Sequence, residues 1–338
     1  MPVTSAPAPA RSALDRTRPV WRDRAVMANL VAQILIVVTG GAVRLTASGL
    51  GCSSWPSCTP GHFTPTLHGA TSYHAFIEFG NRTITGLLVV VAVAVVVLAG
   101  FDRSRSTGYR VLAWVPLAGV LVQAVVGGMA VRYQLPPAVV GGHMIISMVL
   151  VAVSAWLWVR SKEGDRDVRW LATTTTRVLT AALFVAGAVV VVLGVVTTGA
   201  GPHSGDSHVG YRFAVDPVAM ARVHAAAVWV FVAVLALTIY QLQRQARRAT
   251  AEPADGVAAA PDAVLHAGYR VLGVTLAQAA IGYLQVATGL PIALVNLHML
   301  GAALLVTVLT LFAGRLRTRP AQAASPVAAD TLPSAAAA

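Results

Sequence analysis

"QAVVGGMAVRYQLPPAVVGGHMIISMVL", residues 123–150, returns later in the chain as "QAAIGYLQVATGLPIALVNLHMLGAALL", residues 278–305. Gln123, Gly127, Pro136 and His143 fall on Gln278, Gly282, Pro291 and His298, each pair 155 residues apart without a gap. Each copy reads as the end of one apolar run, a short turn closed by proline, and the start of another run. A weaker echo joins "VTGGA" (38–42) to "VTTGA" (196–200). The chain therefore reads as two pseudo-repeated four-helix bundles, residues 25–160 and 173–314, joined by a cytoplasmic linker over 161–172.

The solvent of this duplication follows from composition. Of 338 residues, 56% are hydrophobic and 11% charged, with a mean hydropathy of +0.70. A soluble domain carries about 25% charged residues. Strand alternation is absent, so the expectation is an all-α integral membrane protein. Eight apolar stretches stand out, at about 25–45, 75–100, 110–131, 138–160, 173–198, 217–242, 264–288 and 292–314. Residues 1–24 and 315–338 read as disordered cytoplasmic tails, and 245–262 as a flexible cytoplasmic segment.

The net charge of +12 does not indicate nucleic acid, because the basic residues are scattered over short connections. With both termini inside, only Arg44, Arg82, Arg132, Arg212 and Arg222 of the 25 Lys and Arg fall on the outer side. That asymmetry places both termini in the cytoplasm. The even number of spans in each half makes the repeat a parallel one, so equivalent residues share a depth.

Three histidines obey this rule. His143, His224 and His298 each lie seven residues past a proline, Pro136, Pro217 and Pro291. At 1.5 Å per residue, each sits about 10 Å below the outer surface. Imidazoles facing each other inside a helix bundle are a usual way to hold a heme iron. His224 and His298 make such a pair for the second half; a helix-to-helix hydrogen bond is the plainer reading of each one alone. In the first half, the position facing His143 is Asn81, a poor heme ligand. His74, nearer the surface on the same helix face, is the other candidate. His62, His68, His203 and His208 read as solvated loop residues.

Glu78 and Arg82 are spaced for an i,i+4 salt bridge; the alternative is a carboxylate that moves protons over a reactive centre. Arg82 adjoins Asn81 and Arg222 is two residues before His224, so both are candidates to pair with heme propionates. Cys52 and Cys58 lie in a Gly-rich loop on the oxidising side, where a disulfide can persist. A structural staple and a redox-active pair are both open readings, and two cysteines alone make a poor zinc site.

"GGAVRLTASGLGCSSWPSC" (40–58), "IEFGNR" (77–82), "GGHM" (141–144) and "NLHM" (296–299) resemble the heme A synthase family over residues 25–314. The resemblance implies an eight-helix, four-plus-four bundle that oxidises one methyl group of heme O to a formyl group through hydroxylated intermediates. It implies a heme b on His224 and His298, and a substrate heme O near Glu78, Asn81 and His143. It places the protein in a bacterial-type plasma membrane, with the cysteine loop on the extracytoplasmic side. Partners would be heme O, membrane lipid, a heme O synthase, oxidase-assembly factors and a second copy in a homo-oligomer. Asn81 departs from the family's usual histidine, which leaves the substrate iron with one histidine unless His74 substitutes. Readings without this resemblance are a b-type electron carrier, a repeat-built transporter and a heme chaperone for cytochrome assembly.

Overall fold

The computed structural model describes residues 13–66, 73–203, 205–206, 208–251 and 260–320. Among the described residues, eight helices are long and apolar enough to cross a membrane. They are α1 (Ala13–Leu45), α2 (Tyr73–Val95), α3 (Thr107–Arg132), α4 (Pro137–Lys162), α5 (Thr174–Ala200), α6 (Pro217–Ala251), α7 (Ala260–Ala287) and α8 (Ile292–Arg315). A π-helical turn, Val96–Gly100, extends α2. Helix starts follow local chemistry. Ser106 and Thr173 accept from the N–H groups of Tyr109 and Thr176, and prolines open α4 and α6, where a missing N–H does no harm.

Helices adjacent in sequence pack side by side, and α1 against α4 and α5 against α8 close each half. α8 also packs on α1 and α4. Leu30, Val37, Met148, Val151, Ala155 and Ala303 fill that junction. Phe231, Leu235, Val271 and Phe312 centre the second half, and Val26, Val95, Tyr109 and Leu157 the first. Large apolar side chains such as Leu87, Val90 and Val185 point outward, as lipid requires of a protein with no water around its belt.

The α3–α4 and α7–α8 connections are built alike. Gln134 and Leu135 have φ of 58° and 60°, and Gly289 and Leu290 have φ of 77° and 61°. Leu135 N–H donates to Ala130 O, and Leu290 N–H to Gln285 O, both at 2.7 Å. The glycine at 289 takes this left-handed conformation without strain, whereas Gln134 holds it with a Cβ.

The expected tail and flexible segment are corrected in part. Residues 13–24, read as part of a disordered tail, belong to α1; residues 1–12 and 321–338 lie outside the described residues. The segment 245–262 begins as helix, since α6 runs to Ala251. The linker and the start of the C-terminal tail are ordered by each other, because β1 (Arg169–Trp170) pairs antiparallel with β2 (Arg317–Thr318). Ion pairs fasten the same end of the bundle. Arg105 meets Asp165 at 2.6 Å, Arg160 meets Asp165 at 3.0 Å and Glu163 at 2.6 Å, and Arg22 meets Asp102 at 3.5 Å. Burial by itself would raise the Asp165 pKa. Hydrogen bonds from Arg105 and Ser106 outweigh it and bring the carboxyl down to about 2. Composition hid this order, because the charges that look solvated in sequence neutralise one another in space.

Candidate heme-binding sites

The three span histidines share one local architecture. A Cβ built on Gly127 of α3 would lie 3.5 Å from the Cε1 of His143; on Gly194 of α5, 3.1 Å from that of His224; on Gly282 of α7, 3.2 Å from that of His298. Each imidazole thus lies against the bare backbone of a neighbouring helix. Nδ1 of each is buried and has no hydrogen-bond partner. His224 and His298 lie within Coulombic reach of each other. A ring backed by glycine, with a buried Nδ1 that no side chain engages, fits a site for a heme ligand. The backbone carbonyl of His143 accepts from Gln123 Nε2 at 2.8 Å and from Ser147 Oγ at 2.7 Å. The carbonyl of His298 accepts from Gln278 Nε2 at 3.0 Å. Glutamines 155 residues apart therefore fix the turns that carry the two histidines.

The first half differs at α2. Asn81 Oδ1 accepts from the Thr39 hydroxyl of α1 at 2.8 Å, so its better ligand atom is already engaged. His74 Nδ1 is 2.8 Å from Ser48 Oγ, a contact that fixes the ring and leaves Nε2 as its remaining polar atom.

The cysteine loop sits beside these groups. Cys52 and Cys58 form a disulfide and are buried against Ala75 and Phe79 of α2. Cys52 N–H donates to Glu78 Oε2 at 2.7 Å, and Arg82 Nη2 meets Glu78 Oε1 at 2.5 Å. Arg82 Nη1 donates to the carbonyls of Ser54 and Ser57, both at 3.0 Å. The i,i+4 bridge is thus present, and the pair clamps the loop onto α2. Gly51 makes this approach possible, since a Cβ there would be 2.5 Å from the His74 carbonyl. The Trp55 indole covers Gly128, where a Cβ would come within 2.9 Å of its ring, so the loop reaches α3 next to Gly127.

Two further loop-proximal arginines are similarly engaged. Arg44 donates to His203 O and Thr198 O, both at 3.0 Å, and Arg212 to Gly201 O at 2.6 Å and Pro202 O at 2.8 Å. These carbonyls belong to the end of α5 and the turn after it, where helices leave acceptors unpaired. Arg222 is exposed, two residues before His224. Of the loop histidines, His62 and His208 are exposed, and His203 is half-buried with Nε2 3.3 Å from Leu290 O. His68 lies outside the described residues. No cluster of three His, Cys, Asp or Glu suited to a bare metal ion occurs among the described residues. The glycine partners were visible in the repeat as Gly127 and Gly282, and Thr39 and Ser48 lay in quoted stretches that did not announce their partners, but Gly194 carried no signal of its own.

Residues 23–310 match the COX15-CtaA family, described as cytochrome oxidase assembly protein. Among curated relatives, the chain is 32% identical to "Heme A synthase" of Symbiobacterium thermophilum over 141 residues, 41% of this chain and 44% of the relative. It is 28% identical to "Heme A synthase" of an Exiguobacterium species over 138 residues, 40% of this chain and 44% of the relative. It is 35% identical to that of Bacillus pumilus over 124 residues, 35% and 38% of the two chains. Each of these matches spans less than half of the relative's own length.

Proposed function

Because the chain belongs to the COX15-CtaA family of cytochrome oxidase assembly proteins, we propose that it is a heme A synthase. It oxidises one methyl group of heme O to a formyl group through hydroxylated intermediates, a four-electron change at that carbon. The product supplies heme-copper oxidases. The observation that carries this reading is the asymmetry between the halves. Three glycine-backed imidazoles stand at matched places, two of them in mutual reach, while the fourth place holds an asparagine already bonded to Thr39. Two complete pairs would suit an electron carrier; one complete and one modified site suit an enzyme with an electron-transfer half and a catalytic half.

In this reading His224 and His298 hold heme b, which supplies one-electron transfer when bound. Arg222, exposed beside His224, pairs with a propionate. His143 meets the substrate iron, with His74 rather than Asn81 as a second imidazole where one is engaged. Glu78 takes up protons released at the reacting carbon. Arg82 holds the loop in place, its Nη1 on the carbonyls of Ser54 and Ser57, and Trp55 limits the outer mouth of the first-half site. The two halves form a parallel pseudo-repeat, an inference supported by the matching turns at Leu135 and Leu290 and the matching Gln123 and Gln278 bonds. Both termini are cytoplasmic. The charge asymmetry supports this, and so does a disulfide whose persistence suits the extracytoplasmic side.

Heme extraction tests the proposal. The chain is expressed with and without a heme O synthase, purified in detergent, and its hemes are identified by mass. Heme B in one host, joined by heme A or its hydroxylated precursor in the other, is the expected result. Heme B in both hosts with heme O unaltered would favour the electron carrier, and a protein without heme would overturn the histidine assignment.

A further inference from the structure

A groove of about 410 Å³ opens between α4, α5 and the end of α8, away from the histidines. Trp156, Trp170, Arg177, Ala181, Phe184 and Arg317 are among its lining. Its two ends differ in chemistry. At the rim, the guanidinium of Arg177 lies 4.0 Å over the Trp170 ring, and that of Arg317 lies 4.3 Å over Trp156. These contacts hold both cations at the mouth through their flat faces, leaving N–H edges for an acceptor. Deeper along α5 the wall is apolar. Phe184 is seven residues beyond Arg177, about 10 Å further along the helix axis.

The rim charge is not cancelled. Arg317 meets Glu163 Oε2 at 3.3 Å, but that oxygen also accepts from Arg160 at 2.6 Å. Asp165 is held by Arg105 and Arg160. Among the described residues no carboxylate pairs with Arg177, and the buried Nε of Arg317 has no partner. Trp170 and Phe184 are exposed, at 48% and 38%. Two cations and two tryptophans at the end of a membrane helix, above an apolar wall that runs into the hydrocarbon, form an amphipathic receptor. A zwitterionic headgroup would bring its own cation against two arginines; an anionic one would not.

We propose that this groove is a binding site for an anionic phospholipid, its phosphate held between Arg177 and Arg317 and one acyl chain lying along Ala181 and Phe184. The site stands at the end of the bundle that carries most of the arginine-rich connections, where a negative headgroup is most favoured. It ties the linker, through Trp170 of β1, to the segment after α8, through Arg317 of β2, and so couples lipid to the β1–β2 closure of the two segments.

Native mass spectrometry of the full chain in detergent, with added phosphatidylglycerol or phosphatidylcholine, tests this. Phosphatidylglycerol adducts should persist under conditions that strip phosphatidylcholine. Arg177→Gln should weaken them about fivefold, and Arg177→Gln with Arg317→Gln about twenty-fivefold, at the strength usual for an arginine near a lipid surface. Ala181→Trp, which fills the groove and leaves both charges, should also remove them. Arg103→Gln, at an exposed arginine of the same end, should keep them, and millimolar inorganic phosphate should not displace them. Equal retention of both lipids, equal loss in Arg103→Gln, or displacement by inorganic phosphate would each overturn the site. If loss of the Glu163 contact unfolds the Arg317 variant, Arg177→Gln and Ala181→Trp decide the question.

Discussion

Replacing each glycine behind a histidine with alanine gives a graded test of the heme b assignment. The Cβ would stand 3.1 Å from His224 in Gly194→Ala, 3.2 Å from His298 in Gly282→Ala and 3.5 Å from His143 in Gly127→Ala. Carbon atoms rest at about 3.5–4.0 Å, so the first two rings must move by a few tenths of an ångström and the third need not move. Overpacking of this kind costs about 1–3 kcal/mol. All three variants share the helix gain of alanine over glycine, about 0.5–1 kcal/mol, so their differences isolate the ring contact. The ring penalty of about 1–3 kcal/mol, borne by the heme-bound state in which the imidazole must hold its place, corresponds to heme b leaving about five to 140 times faster in Gly194→Ala and Gly282→Ala, at a factor of ten per 1.4 kcal/mol. The assay is the rate of heme transfer from purified protein to apomyoglobin, with helix content followed by circular dichroism. Equal rates in all three variants, or the fastest loss of heme b in Gly127→Ala, would refute the placement of heme b between His224 and His298.

Three other perturbations have defined outcomes. Cys52→Ser with Cys58→Ser opens a short loop and should remove about 2 kcal/mol of stability, with lower activity as Trp55 leaves Gly128; unchanged melting and turnover would remove the bridge from both roles. Asn81→His offers α2 a second imidazole, so the substrate-loaded wild type should bind carbon monoxide and the variant should not; a wild type that is fully low-spin and inert to carbon monoxide contradicts the one-histidine reading. Asp165→Asn tests the fastening of the linker. A folded pKa of about 2, below the ordinary carboxyl value of 3.8, means that Asp165 adds stability that is complete above the unfolded value and lost as pH falls through about 2. The melting temperatures of wild type and variant should therefore differ at pH 6 and converge near pH 2, and a constant gap across that range would contradict it.

Much of the fold was legible because lipid imposes a simple code. A helix must hide its own backbone groups, so length and apolarity alone gave the eight spans, and the ungapped 155-residue offset located the matching helix pairs. The histidine positions were legible at the same points, through three imidazoles at matched spacing rather than through any one of them alone. The ends were not legible. Arg105, Arg160, Glu163 and Asp165 look like solvated charge in sequence, and only their proximity converts them into a fastening. Nor did three arginines near the loops announce their targets. The carbonyls that Arg44, Arg82 and Arg212 bind have no sequence signature, because every residue has one.

By itself, then, the sequence determined that this protein is a helical membrane protein with three histidines each seven residues past a proline. Tertiary structure decided which groups complete each site. Gly194 lies behind His224, Thr39 takes the Asn81 oxygen, Ser48 fixes His74, and Glu78 with Arg82 clamps the cysteine loop. Periodicity and hydropathy report how each segment meets its solvent, a property of the segment alone. These contacts join residues up to 42 positions apart on different elements, and their distances are set only when the helices pack.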